Sequence, residues 1–124
     1  MWECAWAPDG RYIASHNAGS YSIVIYDVEQ EKWTPLEGCA GGVLTWSADS
    51  KYLYFYTKDR NIYRVHLEDR TVKEVADLSH IAGGTLLASF GVNMWWYGFD
   101  PEGSLISLRN LGKTEIYGLD FEAP

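Results

Sequence analysis

The sequence predicts an all-β protein assembled from repeated antiparallel sheets, and three observations predict it. The first is recurrence. Trp6-Ala7-Pro8-Asp9-Gly10-Arg11-Tyr12-Ile13-Ala14 returns 40 residues later as Trp46-Ser47-Ala48-Asp49-Ser50-Lys51-Tyr52-Leu53-Tyr54, and a weaker copy runs Tyr97-Gly98-Phe99-Asp100-Pro101-Glu102-Gly103-Ser104-Leu105-Ile106. The second is composition: 47% of the 124 residues are hydrophobic and 15% aromatic, with six Trp and nine Tyr. Large flat side chains suit pleated, half-buried surfaces. The third is the period, since strand-rich repeats of roughly 40 residues mark β-propeller blades. The expected architecture is a partial β-propeller of about three four-stranded antiparallel blades, the last lacking its outer strand.

Each copy reads strand by strand. Glu3 to Trp6 enters a turn at Pro8-Asp9-Gly10, where Pro presets φ, Asp caps with its own side chain and Gly accepts positive φ. Tyr12 to Ser15 is a second strand and Asn17 to Ser20 a turn. Ser22 to Val28, largely β-branched or aromatic, is a third strand. Glu29 to Lys32 turns into Trp33-Thr34-Pro35-Leu36, where a Pro fits an outer edge because its missing N–H is not needed there. The second copy repeats this grammar over Val43 to Trp46, Tyr52 to Tyr56, Ile62 to Leu67 and Thr71 to Val75. The third offers Trp95 to Phe99, Ser104 to Leu108 and Thr114 to Phe121.

A second set of landmarks keeps step with the first. From turn acid to the Ile of the third strand is 14 residues (Asp9 to Ile23), 13 (Asp49 to Ile62) and 14 (Glu102 to Ile116), and Glu29, Glu68 and Glu122 each follow that Ile by six. The chain therefore divides as one propeller segment over 1–124, with blade 1 about 1–38, blade 2 about 39–77, an inter-blade loop about 78–93 and blade 3 about 94–124. The loop is uncharged and punctuated by Gly, and loops of that length are more often functional or mobile than simple connectors.

These residues resemble the TolB-type propeller repeat, whose hallmark is a strand ending in Trp-Ser-Pro-Asp-Gly followed by Lys or Arg, an aromatic and an aliphatic strand. Trp6 to Ala14 and Trp46 to Tyr54 carry the resemblance, with Ala48 and Ser50 replacing the Pro and Gly of the turn. Phe99 to Pro124 is similar to the last blade of soil-bacterial proteins of this type. The resemblance implies a fold and no catalytic residue, because the motif builds blades.

Charge and motifs narrow the function. A formal net charge of −7 disfavours contact with phosphate backbones, and the ten basic residues form no block, so neither nucleic acid nor membrane is an expected partner. No apolar run reaches the ~20 residues that span a bilayer. Met1-Trp2-Glu3-Cys4 does not open a signal peptide, which favours the cytoplasm, and the start almost inside the first motif suggests a piece of a longer protein. Cys4 and Cys39 lack metal-type spacing and are expected as buried reduced thiols, although a disulfide is geometrically open. His16, His66 and His80 are far apart, His66 at a strand-end position, and no metal site is expected. No G-x-S-x-G elbow occurs, and Ser104 opens a strand. Gly41-Gly42 and Gly83-Gly84 read as tight turns without phosphate-loop spacing. Asp9 and Asp49 are accounted for by turn geometry.

The run Met94-Trp95-Trp96-Tyr97 stands out. Alternation sends Trp95 and Tyr97 to one face and Trp96 to the other. Trp95, Trp96 and Tyr97 are the candidate interface residues, with core packing the plainer reading. No catalytic, cofactor-binding or metal residue is expected, and no cofactor. The expected function is a non-catalytic binding or scaffolding module for protein interaction or sensing. The alternative is a propeller enzyme or carbohydrate-binding module with its site in the channel of an oligomeric ring. Self-association follows from three blades being too few to close a ring, two copies giving six as the simplest case.

Overall fold

The computed structural model describes residues 3–17, 19–80 and 97–107. Those residues form ten strands and no helix. The first sheet is β1 (Cys4–Trp6), β2 (Tyr12–His16), β3 (Ser22–Asp27) and β4 (Lys32–Ala40). The second is β5 (Gly42–Trp46), β6 (Tyr52–Tyr56), β7 (Asn61–His66) and β8 (Val72–Asp77). The third is β9 (Tyr97–Phe99) with β10 (Leu105–Ser107). All pairings are antiparallel, and both four-stranded sheets run in simple sequence order from first strand to last.

The recurring turn is what makes the sheets alike. Gly10 N–H donates to Ala7 O at 2.9 Å, Ser50 N–H to Ser47 O at 3.0 Å and Gly103 N–H to Asp100 O at 2.9 Å. The donor residue has φ of 76°, 60° and 85° in turn, so the left-handed position recurs even where Ser replaces Gly. Asp9 and Asp49 accept the backbone N–H of Arg11 (3.0 Å) and Lys51 (3.1 Å) on their Oδ1 atoms, as the turn reading requires. The third turn differs. Asp100 N–H closes on Ser104 O, four residues on, whereas Ala7 and Ser47 close on Tyr12 and Tyr52, five residues on. The capping carboxylate is consequently Asp100, whose Oδ1 accepts Ser104 N–H at 2.7 Å, and not Glu102, which is exposed.

Register assigns every side chain to a face, because residues directly opposite in an antiparallel pair point the same way. In the second sheet Trp46 pairs with Leu53, Leu53 with Val65, and Phe55 with Tyr63. These form its rear face and pack against Ala5, Ala14, Ile23 and Ile25 of the first sheet. Tyr54, Tyr56 and Ile62 form its front face and pack against Tyr97, Phe99 and Leu105 of the third. Ile23, Leu53, Ile62 and Val65 are the largest fully buried side chains. Burial of each contributes ~1.5–3 kcal/mol. The sheets thus follow one another in the same sense, the front of each meeting the rear of the next.

Several expectations shift. The fourth strand was expected over Trp33–Leu36 and runs on to Ala40, because Gly38 at φ 74° carries it through a wide irregularity opposite β3. Cys39 therefore belongs to the last strand of the first sheet. Pro35 sits on β4, an edge strand of its sheet, where its missing N–H is not needed. The described part of the tenth strand is Leu105–Ser107, shorter than Ser104–Leu108. Most of the 78–93 loop, Gly83-Gly84 and the Thr114–Phe121 strand lie outside the described residues; Leu78, at the loop's start, is buried.

Gly41 joins the two large sheets. Its N–H donates to Tyr21 O at 3.0 Å, and a Cβ there would run into the main-chain oxygen of Tyr56. Gly41→Ala is expected to lower stability by about 1–3 kcal/mol, the range for forced overpacking. Urea unfolding followed by Trp fluorescence checks this; the midpoint should fall with the slope unchanged.

Candidate interaction surface

Among the described residues three polar links hold the first sheet to the second, and all lie in or beside β1 and β5. The Trp46 indole N–H donates to Ala5 O at 2.9 Å, and its ring stacks on Tyr12 with centroids 6.3 Å apart. Asp9 N–H donates to the Ser50 hydroxyl at 3.0 Å. The Glu3 carboxylate accepts Val43 N–H at 2.7 Å and Leu44 N–H at 2.8 Å. That last link depends on a bulge. Between Gly42 and Thr45 the register with β6 slips, and Val43 takes φ 52°, rare for a β-branched residue. Two successive N–H groups then converge on one anion, a small backbone nest. A carboxylate held by two backbone donors offsets the strain at Val43.

The rear face of the first sheet is the counterpart of this contact, and nothing described covers it. Trp6 pairs with Ile13, Ile13 with Tyr26, and Tyr26 with Trp33, so these four share one face with Val24. Trp6 occupies in the first sheet the position of Trp46 in the second, yet Trp46 is 8% exposed and Trp6 64%. Trp33 is 53% exposed, its ring centroid 5.0 Å from that of Tyr26. Cys4 lies on the same face, exposed and unoxidised, with its thiol 3.6 Å from the Ser15 hydroxyl. A contiguous aromatic patch of this kind marks an interaction surface more readily than scattered exposed apolar residues do.

The residues singled out from sequence fall elsewhere. Tyr97 is buried against Ile62 and Leu78, and burial pushes its hydroxyl pKa up. Trp95 and Trp96 lie outside the described residues. Cys39 is buried and free, its thiol pKa raised by burial, whereas Cys4 is exposed, contrary to the expectation of two buried thiols. Cys4 is exposed because it alternates onto the uncovered rear face. His16 closes β2, stacked on Tyr21 at 5.4 Å, and His66 closes β7 with Nδ1 3.1 Å from Asp69. Among the described residues no three His, Cys, Asp or Glu side chains gather as metal ligands would. A cleft of about 110 Å³, lined by Leu36, Cys39, Val65 and Arg70 among others, falls below the ~300 Å³ usual for a ligand pocket.

The shifted carboxylates serve turns. Ser47 hydroxyl and Lys51 N–H hold the Asp49 carboxyl below the ordinary range. Thr71 N–H does so for Asp69, and Ser79, through side chain and backbone, for Asp77. For Asp27 desolvation pulls upward, but the N–H groups of Gln30 and Glu29 and the Arg11 guanidinium outweigh it. Sequence reasoning missed Glu3 and the Trp6–Trp33 face. The signal for the second was present: alternation applied to the repeat puts Trp6 where Trp46 stands.

Three outcomes follow. Glu3→Gln is expected to cost about 1–3 kcal/mol, since one of two charge-assisted bonds is lost or weakened; urea unfolding measures it. Ser50→Ala should destabilise more than Ser50→Gly, because both lose the bond from Asp9 but only Gly relieves the left-handed φ. Thermal midpoints rank the pair. The four depressed carboxyls contribute stability that is full above an unfolded pKa of ~3.9 and lost as pH falls through their lower folded values. The urea midpoint should therefore hold steady from about pH 5 to 7 and fall below about pH 4, and Asp49→Asn should blunt that fall.

No protein-family model and no curated protein significantly matches this chain.

Proposed function

We propose that the three sheets are successive blades of an incomplete β-propeller, and that the chain is a non-catalytic binding or scaffolding module. One observation carries the reading: front meets rear twice in the same sense, and the strongest strand contacts between the two large sheets are those of β5 with β1 and β2. A sandwich would set two sheets face to face and leave its outer faces polar. Here the second sheet is apolar on both faces, as a vane flanked by two others must be. The uncovered aromatic face of the first sheet supports an interaction role, since Trp and Tyr anchor protein contacts. The turn service of Asp27, Asp49, Asp69 and Asp77 leaves their shifts with a structural cause and supports binding over chemistry.

A crystal or cryo-electron structure of the chain in its solution assembly tests the architecture. Sheets fanned about a common axis are expected; sheets stacked as a closed sandwich would overturn the reading. Turnover of chromogenic esters, phosphoesters or glycosides at no more than the buffer rate is expected of a binding module. A rate above buffer that disappears on substituting a channel-facing His, Asp or Glu would replace it with an enzyme.

A further inference from the structure

We propose that the rear face of the first sheet docks the front face of the third sheet of a second copy of this chain, head to tail. The inference rests on the blade reading above and adds the occupant, the orientation and the contact. The chain shows the same joint twice. At the first, the rear face carrying Trp46 and Leu53 covers the front face of the first sheet. At the second, the rear face carrying Phe99 and Leu105 covers the front face of the second sheet, with the Phe99 ring 4.4 Å from Tyr54. The corresponding rear face of the first sheet, with Trp6 and Ile13, has no such cover among the described residues. The complementary element is also in this chain. Ile106 pairs with Gly98 on the front of the third sheet, at the position Tyr54 holds in the second, and it is 45% exposed.

Among the described residues, one molecule therefore carries a rear face and a front face of the same joint that nothing covers. Such a contact is heterologous, and it ends in a ring when the rotation per sheet closes. Carrying the Tyr54–Phe99 contact across places Ile106 of one copy against Trp6 of the next. The Trp46 bond to Ala5 O gives the Trp6 indole N–H its acceptor, a main-chain carbonyl on the innermost strand of the incoming sheet. Burial of Trp6, Ile13 and Ile106 together drives the association.

Sedimentation equilibrium and short-span thiol cross-linking test this on the full chain. The native chain is expected at twice its 14.1 kDa. Trp6→Glu should return it to a single mass with an unchanged circular dichroism spectrum, and Val75→Glu, an exposed substitution on the outer strand, should leave the assembly intact. Cys4 already lies on the rear face as a reporter. In Ile106→Cys protein, mixed from ordinary and nitrogen-15-labelled chains, a bismaleimide should join Cys4 of one chain to position 106 of another. A native chain that stays a single copy at about 100 µM, some hundredfold above a ~1 µM dissociation constant, would overturn the proposal, and so would Cys4-to-Cys4 linkage between chains. Loss of the assembly with Val75→Glu would also overturn it. A single copy whose sheets still fan about an axis sinks the docking alone; sheets closed as a sandwich sink the blade reading with it.

Discussion

The structure depends on the joint between one sheet and the next. A four-stranded meander buries too little by itself, because each of its strands offers apolar side chains to both faces. Leu53 and Val65 need Ala14 and Ile25 behind them; Tyr54 and Ile62 need Tyr97 and Phe99 in front. The apolar contact supplies most of the free energy, and it is non-directional. Direction comes from the polar links in and beside β1 and β5. The indole of Trp46 on Ala5 O, the Glu3 carboxylate in the Val43–Leu44 nest and the Ser50 hydroxyl on Asp9 N–H permit one alignment of the two sheets. Sliding the second sheet by one residue would unpair all three.

Much of this was legible in the residues. The Trp-x-x-Asp-x-x-aromatic recurrence located both large turns, and alternation over Tyr52–Tyr56 located a strand with those bounds. The edge role of Pro35 followed from its missing donor. Less legible was anything that depended on two sheets at once. Glu3 reads as an ordinary surface carboxylate, because its partners are backbone groups 40 and 41 residues away. The bulge that creates those partners places a valine at positive φ, against its own preference, so no local signal announces it. Ser50 looked like a weakened turn glycine and proved to be a link between sheets. The shorter third turn was hidden because Asp100 and Glu102 are both acidic, and only closure of the hydrogen bond distinguishes them.

The candidate site was legible in part. The aromatic run near Tyr97 drew attention because it is dense, and density pointed toward core: Tyr97 is 2% exposed. The uncovered aromatic face is spread over four strands, at Trp6, Ile13, Tyr26 and Trp33. It becomes visible as a patch once register places those residues side by side. Linear spacing reports composition along a strand well, and it reports neighbours across strands only after the pairing is known.

The two cores do not merge. One joins the first sheet to the second, the other joins the second to the third, and among the described residues no side chain belongs to both. Energetic coupling in this chain is therefore nearest-neighbour, as in a linear array of units. Adding or deleting a terminal repeat in the gene would rewrite a terminal surface and leave the remaining internal junction as it stands. A protein of this construction can change its number of units by unequal recombination without redesigning its interior.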